Sequence, residues 1–282
     1  MIRTDTYLLV KSKWNEFKDV NDNDFKPLVD TVIDLEKSFI IIGRAGCGKS
    51  TLIKKIQERL TKDNKSYITL CPTNKACLVI KDAMTLCKFS NKFKNKHMIK
   101  NLNIDYVFVD EISMVHEIYY KFLPIIKQLK PKVKFIISGE FKQLPPVCDR
   151  VQHIDYKNSN ILYELSDHNR LTLSTCWRAD DTLFKICKAP HLVNKEDFQN
   201  NIRKFNLCYT NKTRIKINKL WMDKQVKKYG LGLKLKANLK NPNSQDVELL
   251  ENMPIIAMKT DLKIDIVNNE IFTIKSFFKN VI

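Results

Sequence analysis

Short apolar runs, each ended by a polar or glycine-containing turn, recur through the first half of the chain. Between them lie longer stretches, such as residues 22–35, whose apolar side chains have the spacing of one helix face. Continuous apolar runs of about four to eight residues are typical of strands buried on both faces of a parallel sheet. The alternation therefore predicts an α/β fold with right-handed crossovers. The predicted strands are residues 39–42, Tyr67–Cys71, Tyr106–Val109 and 133–140.

The pattern becomes weaker in the second half of the chain. Residues 206–211 predict a strand and a turn, and a basic helix with spaced apolar positions follows them. Residues 230–247 contain Gly, Lys, Asn and Pro and predict a loop, whereas 254–258 and 271–274 predict short strands. These signals by themselves do not define a fold class for this half.

Composition and charge narrow the class of protein. The 282 residues allow one large domain or two medium ones, and 44% apolar residues suffice for a sizeable core. A net charge of +18 predicts a polyanionic partner such as nucleic acid, or less readily an anionic membrane surface. The bias toward Lys, Asn and Ile, as in an AT-rich viral or parasite genome, explains the charge equally well. Residues 88–103 concentrate lysines, and we interpret them as an exposed loop or small basic insertion, with a solvated face favoured over a nucleic-acid contact.

Cysteine and tryptophan usage, together with the lack of a long apolar stretch, adds four expectations. The eight cysteines form no Cys-x-x-Cys pair, so the sequence contains no zinc signature. Scattered cysteines without a secretory signal indicate reduced thiols and an intracellular compartment, either nucleus or cytoplasm. No stretch is long and apolar enough to span a bilayer, and we expect no membrane partner. Most of the tryptophans, Trp14, Trp177 and Trp221, are expected in the core, since buried aromatic side chains outnumber stacking platforms.

The best-defined motif follows the first apolar run and fits G-x-x-x-x-G-K-[ST] between a strand and a helix. Its glycines allow the backbone to wrap tightly, so that N–H groups point at phosphate oxygens, and the helix N-terminus adds further donors. Lys49 would reach the β- and γ-phosphates of a nucleotide, and the Ser50 hydroxyl would bind Mg²⁺. The residues of this phosphate loop are Gly43, Arg44, Ala45, Gly46, Cys47, Gly48, Lys49, Ser50 and Thr51.

Polar residues at the ends of two later strands supply further candidate chemistry. Ligands bind at the carboxyl ends of the strands of an open parallel α/β sheet. Asp110 would therefore hold the Mg²⁺ that Ser50 also contacts, and Glu111 would orient and deprotonate an attacking water. Gln143 lies just beyond the strand at 133–140 and precedes two prolines, which makes it a candidate sensor of the γ-phosphate.

Seven segments of the chain occur in a defined order: GRAGCGKST, CPTNKA, AMTLCKF, VDEISM, SGEFKQLPPV, CWRADDTLF and YTNKTRIKIN. This set resembles the superfamily 1 DNA helicases of the 5′-to-3′ branch, the RecD-like and Pif-type group. The resemblance extends from about residue 39 to about residue 274. Its most specific segments are VDEISM and GEFKQLPPV, because phosphate loops are common to many unrelated NTPases.

The resemblance implies a fold and a set of ligands. Residues 1–165 would form a RecA-like P-loop NTPase sheet flanked by helices, with the basic insertion at 88–103. Residues 166–282 would form a partial second RecA-like domain with the start of a small SH3-like β insertion. ATP and Mg²⁺ would bind in the cleft, and single-stranded DNA or a DNA junction would lie across both domains.

The resemblance also implies residue roles. Lys49 matches the family's phosphate ligand, and Ser50 and Asp110 match its Mg²⁺ ligands. Glu111 matches its catalytic base, and Gln143 matches its γ-phosphate sensor. Arg178 matches an arginine finger at the start of the second domain. The positions that match DNA-contacting segments are Pro72, Thr73, Asn74, Lys75 and Thr85.

The chain departs from the family in several places. Cys87 occurs where histidine is usual, Asn269 replaces the glycine of an Asn-Gly-Glu turn, and no glutamine near Phe25 matches the family's adenine-reading residue. The sequence also lacks the late motifs of the second domain. We therefore expect a truncated product or one part of a motor that a second polypeptide completes. Such a chain would bind ATP and hydrolyse it weakly, but translocate poorly alone.

The sequence leaves three functions open. The first is an ATP-dependent DNA helicase, or a DNA-stimulated ATPase related to one. The second is a degenerate module that holds DNA or a partner protein; the missing late motifs favour it, and the intact Lys49, Glu111 and Arg178 argue against it. The third is a kinase or other phosphotransferase with a phosphate loop, which the GEFKQLPPV segment disfavours because a small-molecule kinase has no need of it.

Overall fold

The computed structural model describes residues 13–18, 25–80, 82–143, 146, 155–179, 206, 208, 210–241, 244–261, 263–264, 266–268 and 270–277. Asn269, whose place in a turn was considered above, lies outside these residues. The chain divides into two compact units, Met1–Pro190 and His191–Ile282.

The first unit contains a sheet of seven strands, all parallel. They are β1 (Asn15–Lys18), β2 (Phe39–Gly43), β3 (Tyr67–Cys71), β4 (Met84–Thr85), β5 (Tyr106–Val109), β6 (Lys134–Gly139) and β7 (Asn169–Leu173). Their order across the sheet is β1-β7-β2-β6-β5-β3-β4, so β2 is flanked by β6 and β7. Because the strands share one direction, the carboxyl ends of all seven meet at one edge, which is where such sheets bind ligands.

Helices cover both faces of the sheet, and the predicted α/β class with a parallel sheet flanked by helices is confirmed. They are α1 (Lys26–Asp34), α2 (Lys49–Lys62), α3 (Asn74–Cys77), α4 (Leu86–Lys92), α5 (Lys96–Lys100), α6 (Glu117–Leu129) and α7 (Asn160–Leu165). Short 3-10 helices occur at Ile112–Met114 and Tyr156–Asn158.

Alternate residues of β2 divide the core into two layers. Phe39 and Ile41 pack with the apolar faces of α1 and α2, whereas Ile40 and Ile42 pack with those of α4 to α7. All four side chains are at most 7% exposed. A strand buried on both faces needs an apolar residue at every position, which is why β2 was predictable as a continuous apolar run.

The domain boundary predicted after residue 165 is wrong. β7 pairs with both β1 and β2, and its Leu171 and Leu173 are buried beside Phe39 and Ile41. Residues 169–173 therefore belong to the first unit, which extends to Pro190. Strand β1, which closes this edge of the sheet, was not predicted, because only Phe17 of its four residues is apolar.

The exposed loop predicted at residues 88–103 is also corrected, since this segment contains most of α4 and all of α5. Phe89 and Ile99 are 1% and 2% exposed, and they pack in the core layer that Ile40 and Ile42 of β2 share with α6. The lysines between these apolar positions lowered the apparent hydrophobicity of the segment, although two buried side chains suffice to anchor two short helices.

The second unit contains helix α8 (Asn211–Tyr229), which confirms the predicted basic helix. Strand β8 (Leu233–Leu235) pairs antiparallel with β9 (Val247–Leu249), so the predicted loop at 230–247 contains one strand and the start of another. Strand β10 (Pro254–Ile256) pairs antiparallel with β11 (Ile271–Thr273), close to the two short strands predicted there. Among the helices that the structure describes, none combines the length and apolarity that crossing a lipid bilayer requires.

Candidate functional site

The phosphate loop joins the end of β2 to the start of α2 and depends on two glycines. Gly46 and Gly48 have φ angles of 83° and 84°, in the left-handed region that side chains with a Cβ rarely adopt. A Cβ on Gly48 would lie 2.6 Å from the Phe25 ring, and one on Gly46 would lie 2.8 Å from Arg178 Cβ. Backbone angle and space therefore both require glycine at these positions.

Lys49 begins α2, and its side chain is directed back along the phosphate loop. Its ammonium donates hydrogen bonds to the carbonyl oxygens of Gly43, at 2.8 Å, and Arg44, at 3.1 Å. The residue is only 6% exposed. An ammonium carries three donors, so Lys49 is held inside the loop with donor capacity left for a phosphate oxygen.

Asp110 directly follows β5 and accepts three hydrogen bonds. The Ser50 hydroxyl donates to Oδ2 at 3.3 Å, and the Ser138 hydroxyl and the Glu111 N–H, the latter at 3.0 Å, donate to Oδ1. The structure thus brings together Ser50 and Asp110, the two predicted metal ligands. Mg²⁺ prefers oxygen ligands and usually takes only one or two carboxylates from a protein, with substrate phosphates completing its shell. These two residues fit that ion.

Glu111 combines backbone strain with an unpaired carboxylate oxygen. Its φ of 52° lies in the left-handed region, which is costly for a residue with a long side chain. Its Oε2 is buried and has no hydrogen-bond partner among the described residues. Burial, and then the charge of Asp110, raises the pKa of Glu111, while Lys49 and Arg178 oppose this shift. An oxygen in this state is suited to accepting a proton.

Gln143 is fixed by Glu140, which follows β6. The Gln143 side-chain amide donates to Glu140 Oε2 at 2.6 Å, and its N–H donates to the Glu140 carbonyl at 3.1 Å. Glu140 is 6% exposed, and its Oε1 lies 3.9 Å from Arg44 Nε. Glu140 therefore links Gln143 to the phosphate loop. The sequence patterns did not identify Glu140, since a carboxylate after a strand carries no signal by itself.

The segment after β7 returns to the phosphate loop. The Trp177 N–H donates to the Gly46 carbonyl at 2.8 Å, and Arg178 packs beside Gly46. The Trp177 side chain is 45% exposed and meets the Phe25 ring edge to face, with ring centroids 6.2 Å apart. The expectation that most of the tryptophans lie in the core is therefore wrong: Trp177 is exposed, and Trp14 and Trp221 are only partly buried. Arg178 lies within the first unit and not, as the resemblance implied, at the start of a second domain.

One cavity of about 500 Å³ unites these residues. It is lined by Ala45, Gly46, Gly48, Lys49, Ser50, Thr51, Glu111, Gln143, Trp177 and Arg178. This set includes all four predicted catalytic residues, and Asp110 lies behind Ser50. The volume is in the range of small-ligand sites. Phe25 and Trp177 were missed from the sequence because an aromatic residue beside a glycine loop cannot be distinguished from a core residue by spacing.

The predicted DNA-contacting residues lie along the same edge of the sheet, at the ends of β3 and β4. Cys71 and Thr85 are register partners, so α3 and α4 begin side by side. The Thr73 hydroxyl caps α3 by accepting from the Ala76 N–H at 3.1 Å, and the Thr85 hydroxyl caps α4 in the same way. The structure thus groups the predicted residues and gives both threonines a capping role that spacing alone did not predict. Thr73, Asn74 and Lys75 are exposed, and Pro72 and Thr85 are partly exposed.

Comparison with known proteins relates this arrangement to solved structures. Residues 29–149 match a family profile described as an AAA domain. None of the curated protein sequences matches the chain significantly. The Pif1 helicase from Candida albicans is 19% identical, with a TM-score of 0.63 over 93% of this chain and 70% of that one.

Two bacterial structures show the same likeness. Bacteroides sp Pif1 in complex with ADP-AlF4 is 17% identical with a TM-score of 0.57, and Bacteroides Pif1 bound to ssDNA is 15% identical with a TM-score of 0.56. Each alignment covers 93% of this chain and 71% of the other. The resemblance to Pif-type helicases is thus confirmed in the fold: residues 29–149 match the AAA domain profile, and the chain shares the RecA-like P-loop architecture of the Pif1 structures.

Proposed function

We propose that this chain is a DNA-stimulated ATPase of the 5′-to-3′ helicase type, which couples ATP hydrolysis to movement on single-stranded DNA. The observation that carries the proposal is the unpaired Glu111 Oε2, in a residue that lines one cavity with Lys49, Gln143 and Arg178. A strained residue whose pKa burial raises is costly for the fold and is typical of active sites. A degenerate binding module would have no need of it.

The residues divide the chemistry among them. Bound ATP and Mg²⁺ supply the reacting phosphoryl group and the charge that neutralises it, with Ser50 and Asp110 as the protein's ligands to the metal. The loop N–H groups and Lys49 bind the phosphates. Glu111 accepts a proton from the attacking water while ADP departs with the electrons of the broken P–O bond.

Gln143 and Arg178, which both line the cavity, act on the γ-phosphate. The Gln143 amide, which Glu140 orients, donates to the phosphate or to the attacking water. Arg178 stabilises the negative charge that develops in the transition state. Both residues belong to the first unit, so the four proposed catalytic residues lie in one compact body.

The exposed Trp177 ring gives the cavity an aromatic wall on which a nucleotide base can stack. Replacing Trp177 with alanine is expected to raise KM for ATP about tenfold, given what base stacking is usually worth, with a smaller change in kcat. Replacing it with phenylalanine keeps a stacking face and should restore most of the affinity. Steady-state kinetics of both variants measures this, and an unchanged KM in the alanine variant would assign base binding to other residues.

Single-stranded DNA is the proposed partner of the sheet edge at α3 and α4. The exposed Asn74 and Lys75 supply donors for phosphate oxygens, and the similar Bacteroides Pif1 is described as bound to ssDNA. The polarity of movement is taken from the Pif-type group. The six described cysteines are free thiols, in agreement with action in a reducing compartment such as nucleus or cytoplasm.

The proposal is tested by steady-state ATP hydrolysis with and without single-stranded DNA. We expect DNA to stimulate hydrolysis, and we expect a Lys49→Ala variant to lose the activity. Lys54→Ala is the matched control, because Lys54 is an exposed lysine of the same helix. Nucleotide binding without any hydrolysis in the wild-type chain would contradict the proposal and favour the binding module.

A further inference from the structure

Helices α4 and α5 and the turn between them carry a group of lysines that the catalytic site does not use. We call it the lysine surface; it consists of Lys88, Lys92, Lys94, Lys96 and Lys100. All five are exposed. The sequence contains no acidic residue between Asp82 and Asp105, so no carboxylate within the segment offsets this charge.

The lysine surface is fixed to the body of the first unit. Phe89, on α4, is 1% exposed and packs against Phe93 and Phe122 with ring centroids 4.7 Å and 6.0 Å away. Ile99, on α5, is 2% exposed. The lysine backbones are therefore held in place, unlike those of a basic tail, and a ligand gains from charges that are already positioned.

The five lysines lack the ion pairs that other lysines of this unit form. Lys127 pairs with Asp167 at 3.0 Å, and Lys134 with Glu36 at 3.6 Å. No lysine of the lysine surface forms an ion pair with a described residue. Lys88 and Lys92 are four residues apart on α4, as are Lys96 and Lys100 on α5, and like charges at this spacing repel. The surface is therefore complementary to a polyanion.

The surroundings of the lysines distinguish between types of polyanion. Sites for single-stranded nucleic acid combine basic groups with exposed aromatic rings on which bases stack. Here the Phe89 ring is buried, and the Phe93 ring packs against the core with the Lys92 ammonium 5.5 Å from its centroid. The exposed neighbours are mostly polar and include Asn91, Asn95 and His97. Such a surface offers many contacts to phosphates and, apart from the exposed His97 ring, few base-stacking faces, which fits a duplex, whose bases are already stacked.

We propose that the lysine surface binds the phosphate backbone of duplex DNA. The inference rests on the proposed function for DNA as the substrate, and it adds a second DNA-binding surface. Helix α4 begins directly after Thr85, so the lysine surface adjoins the sheet edge proposed for the single strand. One protein can thus hold a single strand and the adjoining duplex on neighbouring surfaces.

The experiment measures binding of a blunt DNA duplex by fluorescence anisotropy over a series of salt concentrations, without nucleotide. The variant replaces Lys88, Lys92, Lys96 and Lys100 with glutamine. The matched control replaces four other exposed lysines of the first unit with glutamine, namely Lys37, Lys54, Lys62 and Lys132. We expect the lysine-surface variant to bind the duplex at least about tenfold more weakly, with a salt dependence lower by about three phosphate contacts, and the control to change less than about twofold.

Three results would overturn the proposal. Equal losses in variant and control would show a bulk charge effect, undiminished duplex binding would place the site elsewhere, and a loss confined to single-stranded DNA would assign the surface to that ligand. Equal thermal unfolding of the three proteins confirms that they are folded. DNA-stimulated ATP hydrolysis, measured on the same samples, separates the two hypotheses: its absence from the wild type contradicts the proposed function, whereas duplex binding tests the lysine surface alone.

Discussion

Replacing Glu111 with glutamine is expected to lower the rate of ATP hydrolysis about a thousandfold, as the loss of a general base usually does, while ATP binding persists. Glutamine keeps the size of the side chain and removes its capacity to accept a proton. The measurement is steady-state hydrolysis together with a nucleotide-binding titration. Loss of binding and hydrolysis together would instead indicate that Glu111 supports the shape of the cavity.

Glu58→Gln is the matched control for this variant, because Glu58 is an exposed carboxylate on α2 and should leave the rate unchanged. Hydrolysis by the wild type should also fall as the pH decreases through the raised pKa of Glu111. The loss should begin at a higher pH than for an ordinary glutamate, because burial and Asp110 favour the protonated form.

The same shift has a consequence for stability. Since the pKa of Glu111 is raised in the folded state, the ionised side chain destabilises the fold above that pKa, and the effect disappears below the pKa of the unfolded chain. Glu111→Gln should therefore raise the melting temperature at pH 8 and have less effect at acidic pH. A lower melting temperature at pH 8 would contradict the pKa assignment.

Replacing Arg178 with alanine is expected to lower kcat by about a hundredfold or more, the usual cost of removing a group that stabilises transition-state charge. ATP affinity should change less, because the effect is largest when the charge develops. Arg178 lies beside Gly46 and lines the cavity with Lys49 and Glu111. Pre-steady-state hydrolysis separates the chemical step from product release.

Two further variants control for this result. Arg178→Lys keeps the charge but loses the planar fork of donors, so it should recover only part of the rate. Arg59→Ala removes an arginine whose partners are Asp30 and Asp63 at the far end of α2, and it should not affect hydrolysis. If Arg178→Ala retained the full rate, Arg178 would have no part in stabilising the transition-state charge.

The parts of the fold that were predictable from the sequence are those with an unbroken apolar signal. Strands β2, β3, β5 and β6 are buried through most of their length, and a strand buried on both faces cannot alternate with polar residues. The phosphate loop and the Asp110–Glu111 pair were identified for a related reason. Their chemistry requires particular residue types at fixed positions after such strands.

The parts that were not predictable depend on distant contacts. Arg170 of β7 is 6% exposed, because it stacks on Trp14, with its guanidinium 3.7 Å from the ring centroid. A buried arginine in a strand has no signature in a single sequence. Likewise, Trp177 reaches the cavity only because β7 lies beside β2. The pairing of two strands so far apart in the sequence cannot be predicted from a local pattern of residues.

The hydrogen bond from the Trp177 N–H to the Gly46 carbonyl connects the phosphate loop directly to the chain that leaves β7. Because a backbone hydrogen bond keeps its length within a narrow range, a displacement of Gly46 on phosphate binding or release is expected to move the segment that carries Arg178. A single backbone hydrogen bond thus joins the loop that holds the phosphates to the segment that carries Arg178, without a relay of side chains.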